Sequence, residues 1–311
     1  MLALGARREW HGNSLPCTLG PNHKMRTRQP IRGVAIIGPG RIGQAMGRLL
    51  AQSGVSIAFV AGRNLAAARR AVRFIGKGEP TELVDPRLQS ASVFLLTTSD
   101  SAVAGVGRML AQRRKGRDAW RGEVVLHTCG SLPSTVLRPL KLRGAAVGSL
   151  HPYQTVPIPQ AGVRNLRGCF WALEGDPRAL RVARDWVRRL GGVPFSVRPG
   201  RKTLYHLSAF LVCPTVVTLM AQAASLLKQA GVPLRISGPM LKQFVEETAR
   251  NFAHLGARRA LTGPAVRGDW VTIRRHLAAL KRSAPEFVPV YRSLLRAMLA
   301  LAGGLRSRGG S

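Results

Sequence analysis

Val34-Ala35-Ile36-Ile37-Gly38-Pro39-Gly40-Arg41-Ile42-Gly43-Gln44-Ala45 decides the fold. Four apolar residues predict a short buried strand, the glycines a tight turn, and Ala45-Met46-Gly47-Arg48-Leu49-Leu50 the opening of a helix. A glycine pattern alone means little, but strand, turn and helix together form a dinucleotide-binding fingerprint. Gly38 allows the turn, Gly40 lets backbone approach a pyrophosphate, and Gly43 lets helix and strand pack closely. The helix start, with Pro39, Arg41 and Ile42, offers free N–H groups and a partial positive charge to phosphates.

Outward from this turn the pattern alternates as a doubly wound α/β fold does. Strands are expected at Val55–Val60, Ser92–Thr97, Glu123–Thr128, Ala145–Leu150, Cys169–Leu173 and Pro194–Val197, and helices at Ala66–Ile75 and Ser101–Gln112. After Pro199-Gly200 the alternation stops and only long helical patterns follow, broken at Gly231-Val232-Pro233 and Thr262-Gly263-Pro264. The expected organisation is a basic, disordered extension over residues 1–32 and a nucleotide-binding domain over 33–200 with a doubly wound parallel sheet. An all-helical domain over 201–303 and a flexible tail over 304–311 follow. The extension also reads as a start placed upstream of Met25.

The 311 residues are 45% hydrophobic and 20% charged, which excludes a disordered chain. The balance of 48 Lys+Arg against 14 Asp+Glu gives +34, a field that attracts anions. A nucleic-acid binder is therefore one alternative, but the basic residues form no single block and aromatics are only 5%, poor material for stacking bases. Cys17, Cys129, Cys169 and Cys213 lack metal-ligand spacing and read as reduced thiols of a cytoplasmic protein; no metal site is expected. Leu207–Leu227 is uncharged and long enough to span a bilayer. Pro214 and its hydroxyl and amide side chains favour instead a buried helix of a soluble domain, with no membrane partner.

Cofactor choice is set about twenty residues past the glycines, where a carboxylate usually holds the ribose of NAD. Here the stretch reads Ala61-Gly62-Arg63-Asn64, and no Asp or Glu occurs between Glu9 and Glu79. Arg63 can donate to a 2′-phosphate, Asn64 adds a polar neighbour, and Arg69 and Arg70 add charge. NADP is expected over NAD.

The chemical side lies at the following strand ends. Thr97-Thr98-Ser99-Asp100 comes first, with Thr98 and Ser99 toward the cofactor and Asp100 as a helix cap. His127-Thr128-Cys129-Gly130-Ser131 and His151-Pro152-Tyr153-Gln154-Thr155 come next, bringing imidazole, hydroxyl and amide groups to one crevice. Lys202, His206 and Cys213 share one face of the first helix beyond the boundary. An ammonium and an imidazole there suit proton donation to a carbonyl or imine being reduced. Lys202, His206 and His151 are the candidate catalytic residues, and Ser131, Gln154, Arg267 and Asp269 the candidate substrate ligands. Asp269 is also expected to cap the helix through His276, sharing a face with Thr272.

The GPGRIGQA turn, SLHPYQT at 149–155, KTLYHLSA at 202–209 and LTGPAVRGDWVTIRRHLAAL at 261–280 together resemble Rossmann-like proteins carrying domain of unknown function 2520. These are relatives of deazaflavin-dependent NADP oxidoreductases, ketopantoate reductase and 6-phosphogluconate dehydrogenase. The resemblance implies an NADP-linked oxidoreductase with a helical C-terminal domain of the 6-phosphogluconate dehydrogenase-like type, which commonly forms a homodimer. It implies a catalytic role for a lysine placed like Lys202. Where the family's long helix carries an asparagine, this chain has Pro214 after Cys213, which predicts a kink. The expected activity is NADPH-dependent reduction of a small, anionic oxo- or imino-acid. The alternative is an NADP-binding sensor or assembly protein without turnover.

Overall fold

The computed structural model describes residues 33–198 and 200–303. The expectations for the N-terminal extension, Cys17 and the tail fall outside the described residues. The first domain runs β1 (Val34–Ile37), α1 (Arg41–Gln52), β2 (Ile57–Gly62), α2 (Leu65–Ile75), β3 (Glu79–Glu82), β4 (Val93–Leu96), α3 (Asp100–Gln112) and β5 (Val124–His127). It continues through α4 (Arg138–Lys141), β6 (Ala146–Pro152), α5 (Pro159–Asn165), β7 (Phe170–Gly175), α6 (Pro177–Arg189) and β8 (Val193–Ser196).

The sheet order is β3-β2-β1-β4-β5-β6-β7-β8. Strand order reverses between β1 and β4, which opens the crevice where doubly wound sheets bind ligands. The first six strands are parallel, whereas β7 lies antiparallel to β6 and β8 parallel to β7. Strand β3 was not expected, because Glu-Pro-Thr-Glu is too polar for an apolar run; it sits at the sheet edge, where proline is tolerated.

Two apolar layers cover the sheet. Met46, Leu49 and Leu50 of α1 pack on one face with Trp171 and Trp186. Phe94, Leu110, Trp120 and Leu140 fill the other, with the rings of Phe94 and Trp120 5.0 Å apart edge to face. Each such side chain contributes about 1.5–3 kcal/mol by leaving water.

The second domain comprises α7 (Lys202–Val212), α8 (Pro214–Gln229), α9 (Leu234–Leu255), α10 (Ala257–Ala260), α11 (Pro264–Arg267), α12 (Trp270–Ser283) and α13 (Val288–Ala302). The kink expected at Pro214 divides α7 from α8 at one residue, Cys213. Helical bonds persist across it, Cys213 N donating to Ala209 O at 2.9 Å and Val217 N to Cys213 O at 3.1 Å, because the proline removes only its own N–H. The run Lys202–Gln229 is long and apolar enough to cross a membrane by length and composition, and its apolar window is exposed rather than buried. The expectation of a buried helix is corrected: within one chain, Leu204, Leu207, Phe210 and Leu211 face outward. Hydropathy registers that such residues need cover without saying what supplies it.

The glycine turn makes a testable distinction. A side chain at Gly43 would collide with the Thr97 hydroxyl, whereas one at Gly40 would meet nothing closer than 4.0 Å. Gly43→Val should cost about 1–3 kcal/mol by overpacking, and Gly40→Ala no more than about 1 kcal/mol through its cap position, both read by urea unfolding.

Candidate functional site

The carboxyl ends of β1, β4, β5 and β6 lie side by side. After β1, Gly38 adopts φ +76°, which only glycine takes at little cost. Its carbonyl accepts from the Gly40 N–H at 2.7 Å and from the Thr97 hydroxyl at 2.7 Å, so the turn is tied to the end of β4. Gln44 Nε2 donates to Pro39 O at 3.0 Å, and exposed Arg41 donates to Pro157 O at 3.1 Å. At this end of α1 the first-turn N–H groups, including those of Ile42 and Gly43, have no intrahelical acceptor, and the space in front of Gly40 is open. Open space, free donors and a helix dipole fit a pyrophosphate.

Arg63 follows β2 directly and is exposed. Asn64 caps α2, its side-chain oxygen accepting from Ala67 N at 2.8 Å, so only its amide nitrogen is free for a ligand. A carboxylate has no room at Gly62, where a side chain would press within 3.0–3.1 Å of backbone at Asn64 and Ala68. The cradle fits a dinucleotide whose ribose end meets arginine rather than a carboxylate.

Thr98 packs against Gly38, its buried hydroxyl without a partner, and Ser99 lies 3.3 Å from the Ser101 hydroxyl. Asp100 is not the cap it was expected to be: Ser99 occupies that position, and Asp100 stands in the first turn of α3. Its carboxylate turns across to the next loop and accepts from the Ser131 hydroxyl at 2.9 Å. Ser131 Oγ is also 3.3 Å from Cys129 Sγ.

Lys202 is the centre of this region. It is the first residue of α7, yet only 3% exposed, and its ammonium donates to Ser149 Oγ at 2.7 Å and to Cys129 O at 2.9 Å. Burial pushes it down to about 8 against the pull of Glu174, Cys129 and Asp100 in the other direction. Glu174 is held by Ser134, accepting from its N–H and its hydroxyl at 2.6 Å each.

One helical turn on, Tyr205 OH lies 2.7 Å from His151 Nδ1, and a turn further Ser208 Oγ lies 3.2 Å from Tyr153 OH. His206 stacks edge-on to His151 at 5.9 Å, and Gly130 is bare because a side chain there would strike both rings. Burial, with help from the Lys202 charge, lowers His151 to about 4 and His127 to about 3. Both imidazoles are therefore neutral near pH 7. His127 Nδ1 accepts from Cys129 N at 3.2 Å, bracing the loop whose carbonyl holds Lys202.

Of the expected site residues, the fold brings Lys202, His206, His151 and Ser131 into one group. Gln154 is exposed on the loop after β6, its side-chain oxygen taken by Thr155 N at 2.8 Å. Arg267 ends α11, and Asp269 caps α12 by accepting from Thr272 N at 3.0 Å, as expected. His276 turns to Tyr291 OH at 3.1 Å. The bonds described for the Asp269–His276 face thus stay within the helical domain. Sequence reasoning passed over Ser149 and Tyr205 as functional residues; the signal available was a serine facing inward within an apolar strand.

Residues 18–152 match the family model of a Rossmann-like domain, and residues 169–298 match the model described as Domain of unknown function (DUF2520). The two matches follow one another along the chain, in keeping with the resemblance its motifs carry. No curated protein matches it. Among solved structures it is similar to BF3122 of Bacteroides fragilis, a protein provisionally assigned as an NADP oxidoreductase, with TM-score 0.69 and 24% identity over 86% of this chain and 99% of that one. It is similar to protein TM1727 of Thermotoga maritima, with TM-score 0.70 and 20% identity over 87% and 99%. A reductive aminase from Aspergillus terreus, solved with NADPH and ethyl levulinate, gives TM-score 0.60 and 19% identity over 88% and 99%. At these identities the likeness establishes the fold: a mainly parallel Rossmann-like sheet followed by a helical domain.

Proposed function

We propose that this protein is an NADPH-dependent reductase of a small oxo- or imino-acid. The observation that carries the reading is the Lys202 ammonium, buried at the domain junction and lowered to about 8 beside the dinucleotide crevice. Gly38, Pro39, Gly40, Arg41, Ile42 and Gly43 would hold the pyrophosphate. Arg63 and Asn64 would hold the 2′-phosphate, and Thr98 and Ser99 flank the nicotinamide end. Bound NADPH supplies a hydride to the substrate carbon. Lys202 keeps a proton at Nζ: two of its N–H bonds go to Ser149 and Cys129, and the third is free to donate. An acid poised near neutral pH transfers its proton most effectively. His206 and His151 border this proton, and Ser131 and Gln154 lie on the two loops that face an incoming acid. The reductive aminase of similar fold was solved with NADPH, which agrees with the cofactor proposed. The basic field of +34 draws in both a dinucleotide and an anionic substrate.

The two bonds of Lys202 to Ser149 and Cys129 also favour a second reading, in which it only latches the two domains of an NADP-binding sensor. Fluorescence titration and turnover separate the two. NADPH should bind at least tenfold more tightly than NADH, Arg63→Ala should remove that preference through loss of a charged hydrogen bond of about 1.5–3 kcal/mol, and Gly40→Asp should abolish binding. Lys202→Met should lower turnover by about 10²–10⁴-fold, and wild-type kcat/KM should hold level below pH about 8 and fall above it. Absence of binding to either nucleotide contradicts the proposal; binding with no turnover of any oxo- or imino-acid favours the sensor.

The exposed apolar side chains of α7 and α9, Leu207, Phe210, Phe244 and Phe252 among them, are covered in this reading by a second copy. Sedimentation velocity should give a dimer, and Phe244→Glu with Phe252→Glu should shift it to monomer. A wild-type monomer contradicts this.

A further inference from the structure

The surroundings of Lys202 are electrostatically opposite to the rest of the chain. The chain has 48 Lys+Arg against 14 Asp+Glu, yet the fully charged side chains whose fields reach Lys202 are the carboxylates Glu174 and Asp100. Neighbouring His127 and His151 are neutral. Glu174 is committed to Ser134. Asp100 is not committed in this way. Several other carboxylates of the domain hold cations, Asp85 with Arg87 at 2.7 Å, Glu123 with Arg114 at 2.7 Å, Asp176 with Lys141 at 2.5 Å and Asp185 with Arg189 at 2.8 Å, whereas Glu82 and Asp118, like Asp100, hold none among the described residues. Among the described residues no Lys or Arg lies within ion-pairing distance of Asp100, and its hydrogen-bond partner is a hydroxyl, Ser131. The dipole of α3 favours a carboxylate in its first turn, but does not account for one turned across the crevice edge toward the loop that holds Lys202. In a protein this basic, an exposed carboxylate left without a cation at the crevice is a place for a cation from outside.

We infer, building on the reductase reading, that the reacting bond is C=N rather than C=O and that Asp100 is the specificity-determining residue that selects it. The substrate class is a small imine or imino acid, bound neutral at the C=N bond and reduced as the iminium formed in the site. Lys202 Nζ gives its proton to the imine nitrogen, forming N–H and leaving a neutral amine on Lys202. A hydride from reduced nicotinamide then forms the C–H bond, the C=N π pair moves onto nitrogen, and a neutral amine product results. Positive charge gathers at nitrogen in this course, and a fixed carboxylate stabilises it. Reduction of C=O gathers negative charge on oxygen, which the same carboxylate opposes. The neutral imidazoles do not compete for Asp100.

The test pairs 1-pyrroline-2-carboxylate with 2-oxopentanoate, five-carbon acids that differ at the reacting bond. With NADPH, wild-type protein should prefer the imine in kcat/KM, and Asp100→Asn should lower the imine-to-oxo ratio at least tenfold. Calorimetric titration of pyrrolidinium chloride into the protein with NADP⁺ gives a readout without turnover, and Asp100→Asn should weaken that binding at least tenfold. If Asp100→Asn does not fold, Ser131→Ala, which unpins the carboxylate, should lower both quantities about threefold. A wild-type preference for 2-oxopentanoate, equal losses on the two acids, or unchanged pyrrolidinium affinity overturns the inference. NADPH binding without reduction of either acid overturns the reductase reading instead, and the pyrrolidinium titration then judges Asp100 by itself.

Discussion

The two domains meet on one buried ammonium. A lysine taken out of water costs several kcal/mol unless its protons are accepted, and Lys202 meets that cost with Ser149 Oγ and the Cys129 carbonyl. The bonds dictate where α7 begins and which strand it follows. Lys202, Tyr205 and Ser208, each a turn apart on the helix, face Ser149 and His151 of β6 and Tyr153 just beyond its end, on alternate residues of the chain. Three helical residues rise about 4.5 Å, whereas two strand residues rise about 6.6 Å. The rungs stay within reach because side-chain length changes along them: long to short, long to medium, short to long.

The same arrangement divides the crevice into two electrostatic halves. At the β1 and β2 ends there is arginine, open backbone N–H and no carboxylate, the environment a phosphorylated dinucleotide needs. At the β4, β5 and β6 ends there are neutral imidazoles, hydroxyls, one lowered lysine and a carboxylate bonded to a hydroxyl rather than to a cation. In the function proposed, the wide positive field would bring ligands to the molecule and the short-range groups would decide which end of them reacts.

Much of this was legible in the sequence because it depends on local rules. The glycine turn, the alternation from Val34 to Val197, the missing carboxylate after β2, the cap at Asp269 and the kink at Pro214 all express backbone geometry that nearby residues set. What escaped depends on partners distant in the chain. Strand β3 exists because β2 offers an edge, not because Glu-Pro-Thr-Glu favours extension. Asp100 looked like a cap until Ser131, far along the chain, gave it another partner. Ser149 and Tyr205 lie inside SLHPYQT and KTLYHLSA, but their partners emerge only where α7 returns to β6. The apolar stretch Leu207–Leu227 of α7 and α8 read as buried because hydropathy does not say whether the cover lies within the chain.

The central claim is that burial at the domain junction converts Lys202 into an acid that works near neutral pH. Its most direct test is an NMR titration of the lysine ammonium groups labelled with ¹⁵N and ¹³Cε, with Lys202 assigned by its loss in Lys202→Met. The structure predicts a midpoint at about 8 for Lys202. A Lys202 midpoint at about 10.5, the ordinary value, would contradict the account.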